Sequence, residues 1–296
     1  MKESRPCRRT HKTSDHSFIH GGAWRDPTKL ADIFDKSTQF ILDNPSSAAA
    51  SHIAAVASLD YRLSPHPSHA VQPKDPKDPA RNAMHPDHIN DILDGLAYLQ
   101  REYGFGDRYV LAGHSAGATL AFQVCMSRCW SQTPDSDGAG RKDVVPPAAV
   151  LGLEGIYDIP ALIEYHKSRP FYSIYDEFTH SAFGEQRQRR GGDGEEIDVW
   201  KAASPTQGRY EETWTNGRLV VLAHSHEDEL VEWEQVELMK AALEERRRKK
   251  GSSGKDEPKL SLLELKGRHD EVWSDGREVA RAVEETLMKL VAIYEA

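Results

Sequence analysis

The chain has 296 residues, 38% of them hydrophobic, and 47 acidic against 38 basic side chains give a formal charge of −9. That length supports one large domain spanning residues 1–296 with a substantial core, and no linker-like stretch divides it. The acidic balance argues against nucleic acid as a partner, no apolar run approaches membrane-spanning length, and the first residues hold no apolar stretch of the kind found in secretory signals.

Residues 1–16 are rich in Lys, Arg, His and Asp, show no alternating apolar pattern, and are expected to be disordered. Ser17, Phe18 and Ile19 then read as a strand running into His20-Gly21-Gly22-Ala23-Trp24. Two adjacent glycines let the main chain approach a bound carbonyl without a Cβ in the way. Their N–H groups can then face the oxygen on which negative charge develops. Residues 64–87 carry six prolines and several histidines, and are expected to form a solvated loop. The same expectation holds for the polar stretches 131–147, 185–196 and 244–258.

Tyr109 to Ala112 reads as a short buried strand, and Gly113-His114-Ser115-Ala116-Gly117 follows it directly. Beyond it, Ala118, Ala121, Phe122, Cys125 and Cys129 fall at helical spacing. A G-x-S-x-G word between a strand and a helix describes the nucleophile elbow of an α/β-hydrolase. Ser115 is therefore the expected nucleophile. The N–H of Ala116, together with Gly21 or Gly22, is the expected oxyanion hole.

In this fold the acid and then the histidine follow the serine along the chain, and order has to choose among 14 histidines. Leu219 to Ala223 is a buried strand, followed by a helix with Leu230, Trp233, Val236, Met239 and Leu243 on one face. Asp228 lies on the loop just before that helix and is the expected acid. Glu227, Glu229 and Asp270 are its rivals, although Asp270 adjoins the base in sequence and would point away from it. The basic run Arg246 to Lys250 suits a helix C-terminus. Leu260 to Leu265 reads as the last strand, which makes His269 in Gly267-Arg268-His269-Asp270 the expected base.

These words resemble those of the eukaryotic kynurenine formamidases of α/β-hydrolase type. The resemblance also rests on Asp60-Tyr61-Arg62-Leu63-Ser64, Glu154-Gly155-Ile156-Tyr157-Asp158, Ser225-His226-Glu227-Asp228-Glu229-Leu230 and His269-Asp270-Glu271-Val272-Trp273, all in family order. It implies a mostly parallel central sheet with helices on both faces. It also implies hydrolysis of N-formyl-L-kynurenine to L-kynurenine and formate, in tryptophan degradation toward NAD. Ser115, Asp228 and His269 would be the triad, His20 to Trp24 the oxyanion segment, and a homodimer the assembly. Such folds normally place two strands before the His-Gly-Gly strand. With only residues 1–16 ahead of it here, those strands are expected to be missing and the sheet edge exposed. A carboxylesterase or lipase-like hydrolase with the same triad is the alternative activity. A catalytically silent binding protein is disfavoured by the intact Ser, Asp and His set.

No cofactor is expected, since no dinucleotide or phosphate-loop fingerprint is present. His66, His69, His85 and His88 crowd one stretch, but Pro65, Pro67 and Pro86 break any helix that could pair them on a metal. The doublet His224 and His226 falls in the turn that delivers Asp228, and no metal site is expected there either. Three cysteines, an odd number without disulfide spacing, fit a reduced, cytoplasmic protein. Trp24, Tyr157 and Trp273 each follow a strand beside one of these words. They either wall an anilide ring or cap the core. Sequence alone does not pick a partner for the charged ends of an amino-acid substrate.

Overall fold

A strand buried on both faces reads as a continuous apolar run, and three runs here behave that way. In the computed structural model, which describes residues 14–44, 47–72, 77–126, 144–190, 195–250 and 257–296, they are β3 (Tyr109–His114), β4 (Ala149–Leu153) and β7 (Leu219–Ser225). Every residue of the three is buried. Their side chains alternate between two cores: Tyr109, Leu111, Val150, Val220 and Leu222 face one, and Val110, Ala112, Leu151, Leu219 and Val221 the other.

These strands sit centrally in a six-stranded sheet with β1 (Ser14–Ile19), β2 (Ile53–Leu59) and β8 (Lys259–Leu265), in the order β2-β1-β3-β4-β7-β8. All five pairings are parallel. One face is covered by α1 (Asp35–Leu42), α9 (Glu271–Ser274) and α10 (Arg277–Glu295). The other is covered by α2 (Asp87–Tyr103), α3 (Ala116–Cys125) and α8 (Glu234–Lys250). Between β4 and β7 the chain inserts α4 (Ile159–His166), α5 (Tyr172–Phe183), the strands β5 (Arg187–Arg190) and β6 (Glu195–Asp198), α6 (Val199–Ala203) and α7 (Tyr210–Thr213). Among the described residues, no helix is long and apolar enough to cross a membrane.

Several polar stretches are more ordered than their composition suggests. Ser14, Asp15 and His16 belong to β1 rather than to a disordered start; all three pair with β2, and Asp15 and His16 also pair with β3. Asp15 and His16 are buried, and burial lowers the His16 imidazole to about 4, so it enters the core uncharged. Residues 1–13 lie outside the described residues. β2 forms the edge of the sheet among the described residues, and its Ala54 and Ala55 are exposed.

The described part of the proline-rich stretch 64–87 is anchored at both ends. Ser64 N donates to Trp24 O at 2.8 Å, Leu63 N to Ala80 O at 2.7 Å, and Ala83 N to Leu63 O at 3.0 Å. Stretch 185–196 supplies the antiparallel pair β5–β6, whose polar residues meet across the ladder, as with Arg187 and Glu196 at 3.2 Å. Residues 244–250 continue α8, and residues 251–256 lie outside the described residues. α8 begins at Glu234, and Leu230, expected on its apolar face, stands ahead of it with 41% exposure. α3 ends at Cys125, while Cys129 and most of 131–147 fall outside the described residues.

Candidate active site

β3 ends at His114, and Ser115 turns the chain straight into α3 with φ 54° and ψ −122°. L residues rarely adopt that conformation, and it persists only where neighbours hold it. Here Ser115 N donates to Leu153 O of the adjacent strand at 2.9 Å. Glycine is required on both sides. A Cβ on Gly113 would lie 2.2 Å from Gly117 O, and one on Gly117 would lie 2.2 Å from Ile19 O. The turn places Ser115 on the wall of a cavity of about 870 Å³, which Gly21, Gly22 and His269 also line. Ala116 opens α3, so its N–H has no acceptor within the helix.

The His-Gly-Gly loop is wound left-handed over three successive residues, with φ 88° at Gly22, 48° at Ala23 and 58° at Trp24. Hydrogen bonds fix it from both sides. The Tyr61 hydroxyl donates to Gly21 O at 3.0 Å and His20 O at 3.2 Å. Arg25 N and Asp26 N donate to Gly22 O at 3.0 and 2.9 Å. The His20 ring stacks on Tyr61 with centroids 4.3 Å apart, and burial lowers its affinity for a proton. With the carbonyls so engaged, the loop presents Gly21 and Gly22 backbone to the cavity.

His269 follows β8, and its Nδ1 lies 2.8 Å from Asp228 Oδ2. Asp228 itself is held by the turn after β7, where its Oδ1 accepts from Leu230 N at 2.8 Å and Val231 N at 2.9 Å. Burial alone would raise this carboxyl. The hydrogen bond and charge of His269, with the Val231 N–H and His224 added, hold it below its usual value. The three rival acids bind elsewhere: Glu227 accepts from Gly267 N at 3.4 Å, Glu229 from His269 N at 3.2 Å, and Asp270 from Lys29 Nζ at 3.0 Å. His224 supports the turn through its Nε2, which lies 2.9 Å from Val231 O and 3.4 Å from Asp228 Oδ2.

A second carboxyl, unmarked in the sequence as a site residue, approaches the same imidazole. Glu154 Oε2 lies 3.6 Å from His269 Nδ1 and 3.3 Å from His114 Nε2, and Glu154 is fully buried. Burial first, then the nearby Asp228 and Glu229 charges, pushes its carboxyl up to about 10. Glu154 is therefore neutral where Asp228 is ionised. His114, Glu154 and His269 offer ligand atoms within 4.8 Å of one another, but this donor set does not suit a cation. Burial favours the protonated form of Glu154, His269 Nδ1 is engaged by Asp228, and His114 Nε2 faces His269 O at 3.2 Å.

The other sequence expectations divide. Trp273 lines the cavity, with Lys29 Nζ 4.3 Å from the centre of its ring. Trp24 and Tyr157 do not line it, because both are core residues. Trp24 packs edge-on against Phe183 at 5.0 Å and is 1% exposed, and Tyr157 packs against Phe122 at 5.5 Å and is fully buried. The four crowded histidines also separate. His88 lies buried in the first turn of α2, 2.9 Å from the Ser64 hydroxyl, and the His85 ring packs on Phe183. His66 instead reaches the cavity, with His69 against it at 5.0 Å. The far wall, which no motif marks, comes from α4, α5 and the segment between them, including His166, Phe171, Ile174, Tyr175 and Phe178.

No protein-family model matches the sequence. Among individual proteins, a kynurenine formamidase-like hydrolase, fscH, of Fusarium equiseti is 37% identical over 288 residues, covering 95% of this chain and 87% of the relative. The kynurenine formamidase avaC of Aspergillus versicolor is 34% identical over 261 residues, 86% of this chain and 82% of the relative. Among solved structures, an esterase B of Lactobacillus rhamnosis superposes with a TM-score of 0.62 at 16% identity, covering 98% of this chain and 80% of that one. A thermophilic esterase of Thermogutta terrifontis gives 0.60 at 16% identity, with 98% and 87% covered. The fold is thus that of the α/β-hydrolases, and by the extent of its sequence match to these relatives the chain belongs to the kynurenine formamidases.

Proposed function

We propose that the chain hydrolyses N-formyl-L-kynurenine to L-kynurenine and formate by acyl transfer to Ser115. The observation that carries this reading is the 2.8 Å Asp228–His269 contact at Nδ1, on the cavity that also holds the elbow serine and Gly21-Gly22. Asp228 fixes the tautomer in which His269 Nε2 is free to act as base. Oγ of Ser115 attacks the formyl carbon while His269 takes its proton. The N–H groups of Ala116 and of Gly21 or Gly22 receive the oxyanion. His269 then gives the proton to the departing arylamine, leaving a formyl ester on Ser115. Water, deprotonated by the same histidine, cleaves that ester and releases formate.

Trp273 at the cavity wall supplies an aromatic face for the anilide ring. The free, buried Cys125 supports a reducing, cytoplasmic setting, and the charge of −9 is in keeping with a small-molecule substrate instead of nucleic acid. Family likeness supports a homodimer. Incubation with N-formyl-L-kynurenine should yield kynurenine and formate in equal amounts, and Ser115→Ala should stop both. Formation of neither product by the wild-type protein would refute the assignment.

A further inference from the structure

The far wall of the cavity carries a buried carboxylate that the proposed chemistry at Ser115 does not use. Glu232 follows Asp228 by four residues and is 6% exposed. Its Oε1 accepts from Gln235 Nε2 at 2.8 Å, and Gln235 is itself fixed, its Oε1 accepting from Tyr157 N and Asp158 N, both at 2.8 Å. Among the described residues the other oxygen, Oε2, has no hydrogen-bond partner; it stands 3.5 Å from Nε2 of His166, within ion-pair reach, and that nitrogen has no hydrogen-bond partner either. His166, likewise 6% exposed, closes α4 and is stacked on Tyr175 with ring centres 3.6 Å apart. Tyr175 in turn donates to Leu230 O at 2.7 Å, which ties this wall to the turn that carries Asp228.

Leaving a buried polar atom unpaired costs free energy, and a carboxylate oxygen more than most. Two such atoms side by side, on rigid supports and on the wall of the cavity that holds Ser115, mark a place that a ligand completes. Both can act as acceptors, so the complementary group is a donor with at least two N–H bonds and a positive charge. Arg25, a buried cation of the same cavity, does not compete for Glu232, because it is ion-paired with Glu177 at 2.9 Å.

We infer that Glu232 Oε2 and His166 Nε2 bind the α-ammonium group of an amino-acid substrate, so that the enzyme selects formanilides bearing an α-amino acid end. This rests on the formamidase reading and adds to it the group that recognises the substrate's side chain.

The test compares N-formyl-L-kynurenine with its deamino analogue, 4-(2-formamidophenyl)-4-oxobutanoate, as substrates of the wild-type protein and of Glu232→Gln. The wild type should favour the amino substrate in kcat/KM by about 10-fold or more, the scale of one charge-assisted hydrogen bond. Glu232→Gln should shrink that preference to near unity, with the loss falling on KM and not on kcat. Inhibition of the wild type by L-kynurenine and by deaminokynurenine reads the same selectivity without a variant, and should favour the amine by a similar factor. A wild type that hydrolyses both formanilides equally well, and is inhibited equally by both products, would overturn the subsite while leaving the formamidase reading intact. Failure on both substrates would instead overturn the formamidase reading. Equal losses on both substrates in Glu232→Gln would assign Glu232 to structural support.

Discussion

Two carboxyls face His269 Nδ1, and their environments drive them to opposite protonation states. Asp228 Oδ2 lies at 2.8 Å and is held below its usual value, whereas Glu154 Oε2 lies at 3.6 Å and is pushed up to about 10. In the proposed mechanism such a separation divides the roles: the ionised group would stabilise the imidazolium formed during the reaction, and the neutral one packs beside it.

Asp228→Asn should therefore keep the turn and lose the chemistry. The Asn oxygen can still accept from Leu230 and Val231 N–H, but its amide nitrogen would face Nδ1 and favour the wrong tautomer. A fall in kcat of roughly 10⁴-fold with a nearly unchanged melting temperature is expected. Ser115→Ala and His269→Ala should each lose about as much, and the double variant little more than either, because the groups act as a unit. Steady-state kinetics with thermal melts on the same preparations check this. Near-normal turnover by Asp228→Asn would remove it from the triad.

Glu154→Gln should behave in the opposite way. A neutral carboxyl and an amide are close in shape, so kcat should fall by less than about 10-fold, far short of the loss at Asp228. The pH dependence of stability should change more. Folding raises the Glu154 carboxyl from an ordinary 4.5 to about 10, so the folded state keeps a proton that the unfolded chain gives up. Its contribution is present below about pH 4.5 and is lost as pH rises toward 10. Urea unfolding at pH 5, 7 and 9 should show Glu154→Gln gaining on the wild type with rising pH. Parallel profiles for the two proteins would contradict a neutral Glu154.

Chelators should leave the activity unchanged, since the atoms of His114, Glu154 and His269 that could ligate a metal are protonated or engaged with one another. A sulfonyl fluoride should abolish activity with one label per chain, and the label should be recovered on Ser115. Loss of activity on dialysis against EDTA, restored by zinc, would contradict the serine mechanism.

The features legible in the sequence were those with a local steric or ordering requirement. Gly113 and Gly117 announce the elbow because no side chain fits there. Buried parallel strands such as β3 and β7 are apolar from Tyr109 to Gly113 and from Leu219 to Ala223 because both faces are covered. Asp228 and His269 follow from chain order together with their places after the last two predicted strands, with Glu227, Glu229 and Asp270 left as rivals for the acid. Long-range packing hid the rest. β1 includes Asp15 and His16, polar residues buried only because β2 and β3 flank them. His88 adjoins the proline-rich stretch in sequence, yet α2 carries it into the core. Trp24 and Tyr157 sit beside catalytic words in sequence, yet turn away into the aromatic core. Glu154 lies in a recognisable word, but its approach to His269 depends on the spacing of β4 and β8 across β7. The α4–α5 wall, with His166, has no motif because its residues meet Glu232 only after the sheet is assembled.

The acyl pocket separates a formamidase from an esterase most directly. Formyl is the smallest acyl group, and one added methyl in a fitted pocket changes transition-state binding by about 1–3 kcal/mol, or roughly 10–200-fold. The decisive measurement is kcat/KM for N-formyl-L-kynurenine, N-acetyl-L-kynurenine and p-nitrophenyl butyrate on one preparation. Preference for the formyl over the acetyl substrate by about 10-fold or more, with the butyrate ester no better, is the predicted result. Equal rates on formyl and acetyl substrates, with the butyrate ester hydrolysed faster still, would contradict formamidase activity.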